Sequence, residues 1–241
     1  MTELTRYEKL AISEMRSWQQ KMQRSPSLRS RVTKNIQTRI NRAIPEKVHE
    51  VITGAIKQMI NAVLTGAEFI NPSPSIFSIL EETETQVRKK IEFYKNTAAA
   101  EGAITGAGGI LLGLADFPLW LSIKMKLLFE IATLYGRDVS DFKERVYILY
   151  VFQLAFSSQQ HRNTIYDFLK NWDENSKNLD PDTNQLDWRT FQQEYRDHID
   201  LAKMAQLLPF VGAVVGYVVN YKLILKLADT AMNAYRMREF G

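Results

Sequence analysis

Few side chains in this 241-residue chain are spaced for chemistry. His49, His161 and His198 stand far apart and lack H-E-x-x-H or any similar spacing, so they read as surface or structural residues with no metal to bind. Asp180-Pro-Asp182-Thr-Asn184 matches the first ligand positions of a calcium loop. Its sixth position is Gln185 where glycine is needed and its twelfth is Phe191 where glutamate is needed, which leaves a polar turn. There is no G-x-S-x-G elbow, and with no cysteine there is no thiol nucleophile, thiolate metal site or disulfide framework. Asp116 is the acid that stands out, because its sequence neighbours are apolar. It is expected to N-cap the helix containing Pro118, with proton handling or ligand binding as the alternative, and Asn220, Tyr221 and Asp229 are polar groups that could meet it across a bundle.

Glycine is the second signal. Gly102/Gly106, Gly109/Gly113 and Gly212/Gly216 are G-x-x-x-G pairs in apolar sequence, and four-residue spacing puts both members on one helix face. Each glycine costs about 1 kcal/mol of helix propensity against alanine, so repeated pairs imply close helix–helix packing that recovers it. A phosphate-binding loop does not fit: residues 106–113 match neither G-x-G-x-x-G nor G-x-x-x-x-G-K, and no strand precedes them.

The elements that must carry these residues are helical. Tyr7, Leu10, Ala11, Met15 and Trp18 keep a 3/4 spacing, and Leu28, Val32, Ile36, Ile40 and Ile44 recur every fourth residue up to Pro45. Val51, Ile52, Ile56, Met59, Ile60, Val63 and Leu64 mark a helix over 46–70, a charged helix runs from about 75 to 94, and a small apolar segment follows over 97–114. A helix over 117–135 should end at Gly136. Asp141 and Glu144 have the spacing of a capping box before Val146–Phe156, and the last helical pattern runs from Leu208 to Arg238. The fold class is therefore all-α: a compact bundle of about eight helices with close-packed Gly-rich apolar helices. It forms a single domain over 1–241, with basic amphipathic helices at 1–45 and a polar excursion at 159–200.

Charge locates the protein better than it names a reaction. The total is only +4, but Met15–Pro45 holds eight basic residues and no acid, whereas 124–203 is mildly acidic. Arg29, Arg31, Lys34, Arg39 and Arg42 surround the 28–44 apolar stripe, the arrangement by which an amphipathic helix meets an anionic membrane surface. An ordinary helix docked on the core with a solvated basic face is the alternative. Trp18 is the one aromatic among these cations, so nucleic acid is not expected as a partner. The composition, 45% hydrophobic and 24% charged, and a mean hydropathy of -0.25 exclude disorder and a polytopic transporter. Segments 102–123 and 204–221 are expected as buried or surface-inserted helices. Two true spans are the alternative, against which Asp116 and Pro118 both count. The N-terminus has no uninterrupted apolar run of the kind a secretory signal carries, and Thr2 excludes myristoylation.

Several blocks carry a resemblance. Ala100–Pro118, Ile131–Gly136, Asp187–Asp197 with Asp200–Lys203, Leu208–Gly216, Asn220-Tyr221 and Thr230–Arg238 together resemble the EcsC protein family, with Phe210 a small departure where a small residue is usual. In operons of the Bacillus type, such a protein accompanies the ATPase and membrane subunits of an ABC transporter linked to secretion and intramembrane proteolysis. The resemblance implies a non-enzymatic, membrane-associated accessory role, with the anionic membrane surface and those two subunits as partners and a place at the inner face of the cell membrane. It implies no cofactor and no catalytic residue, so Asp116 acquires no role from it. An integral two-span protein, or an enzyme using Asp116, are the alternatives.

Overall fold

The computed structural model describes residues 3–24, 46–66, 74, 77, 79–107, 117–179 and 212–241, and the side chains of all of these except 46–49, 102–107, 160 and 212–216. Among them are eight α-helices and no strand: α1 (Arg6–Met22), α2 (Glu46–Thr65), α3 (Leu80–Ala107), α4 (Phe117–Leu134), α5 (Phe142–Phe156), α6 (Gln159–Lys170), the single turn α7 (Trp172–Asn175) and α8 (Gly212–Phe240). The all-α bundle is as expected. Arg29, Arg31, Lys34, Arg39, Arg42, Gly109, Gly113, Asp116 and the 180–200 stretch lie outside the described residues.

Two kinds of helix build the bundle. α4 and α5 are apolar nearly all round and bury most of their side chains, as helices in the centre of a core must. α1 presents a narrow stripe, Ala11, Met15 and Trp18, to the bundle and leaves Leu10 57% exposed, although Leu10 fits the helical spacing. Val51 is likewise exposed beside buried Ile52, because the stripe on α2 is centred on Ile52, Ile56, Met59 and Val63. α6 and α7 add Ile165, Tyr166, Leu169 and Trp172 to the same core, so the described part of the polar 159–200 stretch packs into the bundle.

α3 and α8, of 28 and 29 residues, form the frame. They run antiparallel in a register fixed by Glu84 opposite Arg236, Lys95 opposite Tyr221 and Ala98 opposite Asn220. α3 continues through Thr97, where the sequence changes from charged to small and apolar, because alanines 98–100 sustain helix as well as the charged residues before them. Gly102 and Gly106 lie on α3 and Gly212 and Gly216 on α8, the two helices so paired.

The chain ends its helices where its residue types require. Thr5 and Glu8 form a reciprocal capping box on α1. Gly136, at φ 73°, closes α4: its amide donates to Thr133 and the Arg137 amide to Ala132, both at 3.0 Å. Asp141 caps α5 by accepting from the Lys143 amide at 3.0 Å. Glu144 does not complete a capping box there, because its carboxylate turns into the core. Gly136→Ala forces a Cβ into the left-handed region and is expected to lower stability by about 1 kcal/mol, read as an earlier denaturation midpoint at unchanged slope.

Candidate functional site

The most concentrated ionisable chemistry among the described residues is buried, and it gathers on the last two turns of α8. Arg236, 3% exposed, directs a two-pronged contact at Glu84, which is 0% exposed: Nε donates to Oε1 at 2.7 Å and Nη2 to Oε2 at 2.6 Å. Tyr135 donates to the first oxygen at 3.0 Å and Tyr7 to the second at 2.7 Å. Arg236 Nη1 then reaches Glu14 at 2.8 Å. Three helices, α1, α3 and α8, and the turn that follows α4 thus meet on one carboxylate. Two residues on, Arg238 Nη1 donates to Glu144 at 2.6 Å and Tyr235 OH to its other oxygen at 2.8 Å, which ties α5 to α8. The guanidinium of Arg238 lies 4.5 Å from the Tyr147 ring centre, and Tyr135 stacks on Tyr235 at 5.3 Å.

Burial alone would raise the Glu84 carboxyl, but the Arg236 guanidinium and the hydrogen bonds from Tyr7 and Tyr135 outweigh it and hold the group below its ordinary value. Burial opposes the charge on Arg236 too, and Glu84 and Glu14 more than reverse that, so its pKa is raised. Desolvation pushes the Tyr135 and Tyr235 hydroxyls well above their usual range. A carboxylate offers about four lone-pair sites, and Glu84 fills them with four donors. It is built to stay ionised and bonded, with no lone pair left to accept a substrate proton.

A second polar knot sits in the apolar half of the bundle. Asn220, fully buried on α8, accepts from Trp120 Nε1 at 2.8 Å and donates to the Ala98 carbonyl at 3.0 Å and to Glu101 at 2.8 Å. Lys124 is buried beside it, with Nζ 3.2 Å from the Trp120 ring centre. Of the polar groups that could meet Asp116, which lies outside the described residues, Asn220 joins three helices, the Tyr221 ring lies under Lys95, and Asp229 accepts from Asn233. His161 pairs with Gln153 at 2.9 Å, a structural contact. Among the described residues no group of His, Asp and Glu is arranged to hold a metal. A groove of about 250 Å³ between α2 and α4, lined by Ala55, Met59, Ala62, Pro118 and Leu119 with Gln58 and Ser122, contains no charged side chain.

Glu84 and Glu144 escape sequence reasoning for opposite reasons. Glu84 hides in the acidic run Glu81-Glu82-Thr-Glu84, and Glu144 mimics a capping residue. Arg236 and Arg238 did leave a signal: two cations on a helix end that also carries Ala231, Met232, Ala234, Tyr235 and Met237 have to be paired or exposed.

The bundle and its saturated ion pairs define a class of helical protein held together by buried charge. The chain belongs to the EcsC protein family, whose model matches residues 9–240. Protein EcsC of Bacillus subtilis (strain 168) is 45% identical over 231 residues, covering 95% of this chain and 94% of that protein. An uncharacterized protein of the same organism, YdbA, is 32% identical over 143 residues, 59% of this chain and 53% of its own length. No solved structure matches.

The ion clamp makes a signed prediction. Because the Glu84 pKa is lowered, its contribution is complete above the ordinary carboxylate value of 4.5 and is lost as pH falls through the lower native value. Acid unfolding followed by circular dichroism should therefore be shallower in Glu84→Gln than in the parent. Glu84→Ala, which strands Arg236, should cost about 3–5 kcal/mol, and the double variant Glu84→Leu/Arg236→Met should be less destabilised than either single change.

Proposed function

We propose that the protein is a non-enzymatic, membrane-associated accessory component of an ABC transporter system, held at the inner face of the cell membrane. The observation that carries the reading is the acid-free basic stretch: Arg29, Arg31, Lys34, Arg39 and Arg42 surround an isoleucine-rich stripe, the pairing of apolar face and cations that anionic lipid attracts. Two further observations support it. Among the described residues no helix is long and apolar enough to cross a membrane, and Asp116 and Pro118 both count against a span over 102–123. The buried carboxylates Glu84 and Glu144 are occupied by arginine and tyrosine donors, which favours a structural role over catalysis for them. Membership of the EcsC family supports a transporter context, with the ATPase and membrane subunits as the partners to seek.

Fractionation tests the reading. The protein should sediment with membranes at low salt and be released by alkaline carbonate. Changing the five cations to glutamine should shift partitioning toward the soluble fraction by ~100-fold or more, given about 1 kcal/mol per cation near an anionic surface. A protein that stays soluble at low salt overturns it.

A further inference from the structure

Arg236 and Arg238 are paired with carboxylates. Arg162 and Lys226 are held near each other without one. Arg162 lies at the start of α6, where Nη1 donates to Gln159 Oε1 at 3.1 Å and Nη2 to the Ser157 carbonyl at 3.2 Å. Both acceptors are neutral. Its Nε is shielded from solvent and meets no acceptor among the described residues. Lys226, on α8, holds its ammonium 5.7 Å from the ring centre of Phe156, the residue before Ser157. The two cations flank the end of α5.

The charge at this junction is one-sided. α6 has no acidic residue in its first turn, and neither cation forms an ion pair among the described residues. Burial lowers the Arg162 pKa. Burial, and then the charge of Arg162, lower that of Lys226 to about 8. Asp229, one turn along α8, accepts from Asn233, and the cations acting on it are Lys21 and Arg236. Gln159, which holds Arg162, also donates to the Arg24 carbonyl at 2.8 Å, so exposed Arg24 borders the same junction. Two like charges partly withdrawn from water, with no anion to bridge them, cost stability that a bound anion would return.

We propose that Arg162 and Lys226 form a binding site for a phosphate group. The two side chains complement each other in that task. A guanidinium presents a planar fork matched to oxyanions, and an ammonium presents rotatable donors on a flexible stem. Lys226 is exposed, so a ligand reaches it from solvent, and Arg162 is already fixed in place by Gln159 and Ser157. Such a group is carried by a phospholipid headgroup and by free phosphate or a soluble ester, and the recognition chemistry is shared. The site uses no residue of the basic 29–42 stretch and does not depend on the membrane-associated reading.

The test begins with inorganic phosphate titrated into the full chain at constant ionic strength and followed by calorimetry. The parent should bind saturably. Lys226→Gln, at an exposed position, should weaken binding about tenfold, and Lys226→Arg should restore most of it. Lys170→Gln, at the far end of α6, should leave it unchanged. Acylation of lysines at about pH 8, mapped by mass spectrometry, gives a second readout: phosphate should protect Lys226 and not Lys170. A parent that binds no phosphate, or a Lys226→Gln variant that binds it as tightly, overturns the site. Vesicles of phosphatidylglycerol and phosphatidylcholine then separate the two sources. With a headgroup as ligand, phosphate should compete with vesicle binding and Lys226→Gln should weaken it; with a soluble ligand, the parent and Lys226→Gln should bind vesicles alike. Vesicle binding without phosphate binding overturns the site and leaves the membrane reading standing. Phosphate binding that is lost in Lys226→Gln, with no vesicle binding, supports the site and overturns the membrane reading.

Discussion

One buried pair sets the geometry of this bundle. Glu84 and Arg236 are both removed from water, and two such charges are tolerable only if each is fully bonded. The fork of Arg236 accepts one relative placement of α3 and α8, and the hydroxyls of Tyr7 and Tyr135 then fix where α1 and α4 sit around it. Apolar packing alone would let these helices slide by a turn at modest cost. A desolvated guanidinium that has lost its carboxylate would not.

That constraint also explains why the molecule has two unlike ends. The clamp, the Glu144–Arg238 pair and the stacked tyrosines crowd one pole, where the first turns of α1 and α5 and the last of α4 and α8 converge. Toward the other pole the described residues include the knot around Asn220 and the buried Lys124 with its aromatic neighbour. The glycine-rich sequence belongs to that second pole: Gly102 and Gly106 lie on α3, and Gly212 and Gly216 on α8.

Much of the helical layout was legible in the sequence because periodicity and punctuation report local physics. The stop at Gly136 and the cap at Asp141 depend only on backbone conformation and a side chain two residues away. Leu10 shows the limit: spacing places it on the apolar side of α1, but only the position of α3 and α8 decides how wide a stripe α1 can bury. The ion clamp was illegible for the same reason. Its partners are 152 residues apart along the chain, and no local pattern distinguishes Glu84 from its acidic neighbours. Glu144 carries a capping signature that the fold overrides, since pairing with Arg238 and Tyr235 inside the core outweighs one exposed backbone bond. Asn220 was legible as polar in an apolar helix, but not as the joint of three helices.

The position of Arg236 also bears on how the chain is made. The residue that neutralises Glu84 is synthesised 152 residues after it and 222 after Glu14. Until α8 has been made, Glu84 lacks its two-pronged partner and has only Arg88, 3.5 Å away on its own helix, as a cation. The Glu84–Arg236 pair therefore closes only after α8 has been made, later than local helix formation in α3.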